Sequence, residues 1–170
     1  VDCERCHGPG ARHVEFQTKN PQEKSAKFIV NPASLSRQLQ LDACALCHGS
    51  NMKKTKPSFQ FTTGKNLADY FTISSLNDNA VNNGNIDVHG NQYGLMAASK
   101  CFRMSQQLTC NSCHNSHENE KGNVQLFSQR CITCHNTDAA AFKTTSHTGL
   151  VAIEKNCIDC HMPKLPSRLI

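Results

Sequence analysis

Apolar residues are sparse along this chain and recur at helical spacing in only a few places. In NPASLSRQLQLDACALCH, Leu35, Leu39 and Leu46 share a face, Asn31 stands at the cap and Pro32 in the first turn. The pattern predicts a helix over 31–48. Residues 8–30, with Gly8, Pro9, Gly10 and Pro21, read as loop. FQF at 59–61 reads as a short strand and KNLADYF at 65–71 as a short helix. The Asn- and Gly-rich run LNDNAVNNGNIDVHGN, 76–91, reads as another loop. Its oxygens lack a complete calcium-ligand spacing.

Helical signals are denser after Gln92. YGLMAASKCF, then SQQLTCNSCH capped by Ser105, then NVQLFSQRCITCH capped by Asn123, then DAAAFKTTSH each predict a helix, as does the segment around Cys157. Two prolines keep the tail MPKLPSRLI extended. The expected class is mainly α with long irregular loops and little or no sheet.

Composition makes this fold hard to close. The 170 residues are one domain's worth of chain, but only 38% are apolar, with no Trp and two Tyr. That is a thin supply for a protein core. No stretch is long and apolar enough to span a membrane, and no signal peptide is present.

The 11 cysteines change the picture. CERCH begins at Cys3, CALCH at Cys44, CNSCH at Cys110, CITCH at Cys131 and CIDCH at Cys157. These five C-x-x-C-H pentapeptides use ten of the 11 cysteines and five of the nine histidines. Random placement gives about 0.04 such motifs, so the pattern serves a chemistry. In C-x-x-C-H two thiols add across the vinyl groups of a haem, and the following imidazole ligates its iron. Zinc takes such cysteine pairs two at a time and needs no histidine after each. A thioredoxin-like motif is expected once, and a disulfide scaffold predicts an even count without attached histidines.

The expected thioether anchors are Cys3, Cys6, Cys44, Cys47, Cys110, Cys113, Cys131, Cys134, Cys157 and Cys160. The expected proximal ligands are His7, His48, His114, His135 and His161. Four histidines remain, His13, His89, His117 and His147, close to the number of distal ligands that five haems need. His117 cannot reach the iron of His114, which holds its own haem from that side. It can face a neighbouring haem, and His13 stands in a similar relation to the first motif. Nine histidines leave one axial position open to Met52, Met96, Met104 or Met162, to Cys101, to a neighbouring chain or to nothing. Met162 follows His161 and cannot cap the same haem, and Cys101 also reads as a small buried apolar residue.

Five covalently bound c-type haems supply the missing core. The expectation is a compact multihaem cytochrome c fold in a single domain, 1–170, wrapped around five stacked haems. Residues 1–50 carry two motifs, 51–100 form a haem-free connection and 101–170 carry three. The formal charge of +5 changes meaning as well. Ten propionates and five ferric porphyrins bring the oxidised holoprotein near neutrality, so the lysines and arginines read as propionate partners rather than a nucleic-acid surface. Covalent haem attachment takes place outside the bacterial cytoplasm. A periplasmic or extracellular location is expected, with an export signal removed and further upstream sequence cleaved or missing.

CERCHGPGARHV, CALCHGS, HGNQYGLMAASKCF leading into LTCNSCHNSHENE, CITCH and CIDCHMP together resemble the multihaem cytochrome c family that includes the tetrahaem acceptor of hydroxylamine oxidoreductase. The resemblance spans nearly the whole chain. It implies distal ligation by His13, His89, His117 and His147, and haems stacked in parallel and perpendicular pairs. Members usually carry a further C-x-x-C-H segment upstream, which this chain lacks.

The expected function is electron conduction between redox-protein donors and acceptors. The carrier is either a periplasmic shuttle or the self-associating subunit of an extracellular filament. The rival is a nitrite or hydroxylamine reductase with one open haem, against which the absence of a C-x-x-C-K motif counts.

Overall fold

The computed structural model describes residues 2–49, 52–73, 91–135, 147 and 155–162. The sequence-predicted loop at 76–90 with His89, the helix at 138–146 and the tail beyond Met162 lie outside the described residues. The fold is mainly helical with few strands.

The described residues of Val1–Thr109 belong to one compact unit and those of Cys110–Pro166 to a second. The first unit opens with α1, Cys3–His7, whose cap Asp2 accepts the N–H of Arg5 through its side chain. Gly8, at φ 78, ends it in the left-handed region that only glycine enters freely. α2, Ala11–Lys19, follows at once. The sequence reading assigned this run to loop, and the structure corrects it. The Gly-Pro-Gly turn stops at Gly10, and no breaker occurs again before Pro21. Between them a Glu15–Lys19 pair at 2.6 Å supports the helix at i,i+4 spacing.

The helix predicted over 31–48 is real from Arg37 onward as α3, Arg37–His48. Asn31 does cap, but it caps only a 3-10 turn, Pro32–Ser34, because Leu35 is extended (ψ 160) and interrupts the run. The buried face of α3 is Leu41, Asp42 and Ala45 rather than the Leu35–Leu39–Leu46 stripe. Ala45 packs with Phe61 and with Leu67, in the 3-10 turn Leu67–Asp69.

FQF is not a strand. Phe61 is buried in that cluster and packs edge-on to Tyr70 at 5.6 Å. The small sheet pairs β1, Met52–Lys54, antiparallel with β2, Phe71–Ile73, with Met52 opposite Ile73. Asp42 joins the two halves of this core. Its buried carboxylate accepts the N–H of Leu67 at 3.0 Å and the amide of Gln38 at 2.8 Å.

After Asn91 the chain forms α4, Gln92–Ala98, and α5, Lys100–Met104, separated by Ser99, whose hydroxyl accepts the N–H of Phe102 and so caps α5. Arg37 of α3 stacks 4.0 Å over Phe102 and donates to the carbonyls of Phe102 and Leu108. In the second unit only a 3-10 turn, Cys110–Ser112, forms where a helix from Ser105 was expected. α6, Val124–Ile132, is capped by Asn123 as expected, and α7, Ile158–His161, carries the last motif. The apolar side chains that are buried, Leu41, Ala45, Phe61 and Leu67, all lie in the first unit. Among the described residues of the second unit, burial falls on a serine, Ser128.

Candidate haem-attachment sites

All five pentapeptides take one local shape, a single helical turn. The first two lie inside α1 and α3. In the other three the histidine N–H donates to the carbonyl of the first cysteine, at 2.9 Å for His114, 2.9 Å for His135 and 3.0 Å for His161. At about 100° per residue, positions i, i+3 and i+4 project within one narrow sector. Each turn therefore presents two thiols and one imidazole on a common face. No cysteine is disulfide-bonded, and every one of the ten is exposed or half-buried. Among the described residues no three of His, Cys, Asp or Glu converge as a metal-ligand set.

The first two motifs approach each other in space. The Cys6 thiol is pushed up from its ordinary pKa, first by burial and then by the neighbouring thiols of Cys44 and Cys47. Beside them a cavity of about 250 Å³ is lined by Arg5 of the first motif, Leu46 of the second, and Lys54, Phe59, Phe61 and Tyr70. Phe59, 93% exposed, contributes to its wall from a backbone at φ 66.

Two imidazoles have their tautomer fixed by a backbone carbonyl. His7 Nδ1–H donates to the Val30 carbonyl at 2.8 Å, and His13 Nδ1–H to the Lys27 carbonyl at 2.8 Å. A carbonyl only accepts, so the proton resides on Nδ1 and the lone pair on Nε2. His48 Nδ1 meets Gln92 Oε1 at 3.3 Å, through the first residue of α4. Iron-ligating histidines are held this way, with the non-ligating nitrogen anchored. The donor set therefore fits covalent haem, with the cysteines as anchors and the imidazoles as axial ligands.

In the second unit the motifs are tied together by groups that sequence reading did not single out. The His114 ring packs edge-on to Phe127 of α6, 5.4 Å between centroids. Arg130, directly before Cys131, donates to the Cys113 carbonyl at 2.8 Å and forks onto Glu120 at 2.7 and 2.5 Å. Glu120 also accepts the N–H of Asn115 at 3.0 Å. Ser128, fully buried on α6, donates to the Val124 carbonyl and accepts the N–H of Cys157 at 2.9 Å. Motifs three, four and five thus share one polar frame. The rings of His147 and His161 lie 6.0 Å apart. His117 is exposed on the turn after the third motif, where its N–H is held by Asn115.

The Arg130 fork, and then the Asn115 N–H, hold the Glu120 carboxyl at about 2, below its ordinary 4.5. A lowered acid stabilises the fold above its unfolded pKa and loses that contribution as pH falls through the folded one. Glu120→Gln is therefore expected to flatten the dependence of stability on pH between 4.5 and about 2. Denaturation midpoints across that range, wild type against variant, check it, and an identical slope refutes it.

The candidates for a further axial ligand are dispersed. Met52 packs against the first unit's core, whereas Met104 and Met162 are 85% and 71% exposed. Met96 is half-buried on α4. Cys101 is exposed on the short α5, which corrects its reading as a buried residue.

Among the described residues no helix is long and apolar enough to cross a membrane. Comparison with protein-family models, curated proteins and solved structures finds no match for the chain.

Proposed function

We propose that the chain is a multihaem c-type cytochrome that carries electrons through five covalently bound haems. The observation that carries this reading is the fivefold recurrence of one helical turn with two thiols and an imidazole on a single face. Each bound haem supplies a one-electron iron couple. The chain's own residues anchor it at the ten motif cysteines and orient the axial rings. Anchored Nδ1 protons on His7 and His13 direct Nε2 to ligation. Arg5 and Lys54 both line the cavity beside the first two motifs and supply positive charge there. Close motif spacing within each unit supports short electron steps between neighbouring haems: Arg5 and Leu46 line one cavity in the first unit, and Ser128 and Arg130 tie three motifs together in the second.

The reading includes exchange with redox-protein partners outside the cytoplasm. The resemblance of the motif segments to multihaem cytochromes supports it.

Intact mass of the mature protein tests the assignment: five haems above the polypeptide are expected, and a colourless product at bare polypeptide mass ends it. Spin-state spectroscopy of the oxidised holoprotein then separates conduit from reductase. Low-spin iron throughout is expected, and a high-spin centre that reacts with nitrite or hydroxylamine would favour the enzyme.

A further inference from the structure

Residues 25–30 run antiparallel to α2 and are tethered to it and to α1 by three side chains. Gln17 Nε2 donates to the Ser25 carbonyl at 3.0 Å, His13 Nδ1 to Lys27 at 2.8 Å and His7 Nδ1 to Val30 at 2.8 Å. Val30 returns a bond, its N–H donating to the His7 carbonyl at 2.9 Å. The spacing explains the alignment. His13 and Gln17 are one helical turn apart, about 6 Å along the axis, and two extended residues cover about 6.6 Å. Consecutive outward carbonyls of the strap therefore meet consecutive side chains of one helix face.

Between the two histidine acceptors lies Phe28, at φ 58. A bulky residue adopts this left-handed conformation only where its surroundings enforce it. Here the ring packs edge-on to Phe16 at 5.5 Å, and the Arg12 guanidinium sits 4.4 Å over it. Arg12 and Phe16 both come from α2, the helix that carries His13. The half-exposed ring is thus pinned to that helix while its backbone redirects the strap from the His13 acceptor to the His7 acceptor.

We infer that residues 25–30 are one positioning strap for two axial imidazoles, locked by Phe28, and that the strap links the reduction potentials of the two haems that His7 and His13 ligate. This rests on the cytochrome reading above. An Nδ1–H bond to a carbonyl makes imidazole a stronger donor, which favours ferric iron and lowers the potential. Loosening the strap weakens both bonds together.

Spectroelectrochemical titration of the intact five-haem protein tests this, with Phe28→Gly and Phe28→Tyr beside wild type. Glycine keeps the backbone conformation accessible but deletes the ring lock. Two of the five one-electron steps are expected to move positive, with shifted g-values at two low-spin centres and the other three unmoved. Phe28→Tyr is expected to match wild type. Movement of no step, of one alone or of all five alike overturns the proposal, as does Phe28→Tyr behaving like Phe28→Gly. If Phe28→Gly does not mature, Gln17→Ala deletes the bond to Ser25 at the other end of the strap, and smaller positive shifts in the same two steps are expected; a shift in one step alone or in none overturns the strap. A wild-type mass short of five haems would instead fail the cytochrome reading, so the two failures are distinguishable.

Discussion

Replacing Cys110 and Cys113 together with alanine is expected to give a holoprotein one haem lighter in which the Cys110–Pro166 unit loses its protection against proteolysis, while Val1–Thr109 keeps its own. The two units differ in what holds their polypeptide together. The first has a buried cluster of Leu67, Ala45 and Phe61, with Leu41 beside it on α3. Among its described residues the second buries no apolar side chain and depends on the Glu120–Arg130 fork and the Ser128 bonds. Such polar frames hold geometry but contribute little net stability, because each bond replaces one to water. On the proposed reading, covalent attachment of a large apolar ring at Cys110 and Cys113 is then the main restraint on this end of the unit. Its loss is expected to cost about 3 kcal/mol or more, the scale of deleting a covalent cross-link. Limited proteolysis followed by mass spectrometry reads the result directly. Equal protection of both units in the variant would show that the second has a polypeptide core of its own.

The helical turn of each C-x-x-C-H motif was legible in the sequence because its signal is local. Two thiols and an imidazole must share one turn, so their spacing is written in five consecutive residues each time. What surrounds them is not local. Arg130 finds Glu120 across ten residues and the carbonyl of Cys113 across 17. Ser128 is one hydroxyl in an amphipathic helix, and nothing in VQLFSQRCI marks it as the acceptor for the N–H of Cys157, 29 residues later.

The elements were legible to the extent that their signals were local too. Asn123 capped its helix through the N–H of Leu126 as the sequence suggested. α2 was missed because the eye stops at Gly8, Pro9, Gly10 and Pro21, although nine breaker-free residues between Gly10 and Asn20 suffice for a helix. FQF carried a strand pattern, but burial of Phe61 against Leu67 and Ala45 outweighed it, and the pairing went to 52–54 and 71–73. Tertiary packing overrides weak β-propensity in short runs. The strap over 25–30 was invisible for the opposite reason: its role is carried by backbone carbonyls, which every residue has.

Leu67→Ala is the substitution expected to cost the first unit most. Leu67 is 0% exposed and touches the second motif through Ala45, the residue directly after Cys44. Removing its side chain leaves a cavity at the point where α3, β1 and β2 meet, and buried leucine truncations cost about 2–5 kcal/mol. For a unit of about 100 residues, each kcal/mol moves the midpoint by about 4–8 °C. A fall of at least about 8 °C in the first thermal transition is therefore expected, read by backbone circular dichroism. The backbone tether should survive, since Asp42 accepts the N–H of Leu67 whatever its side chain. The variant is accordingly expected to mature with all five haems and to differ in stability rather than in loading. Asp42→Ala makes the contrast, because it keeps Leu67 but strips a buried N–H of its acceptor, costing about 1–3 kcal/mol. A Leu67→Ala protein that melts within about 2 °C of wild type would mean that haem, not this cluster, holds the second motif in place.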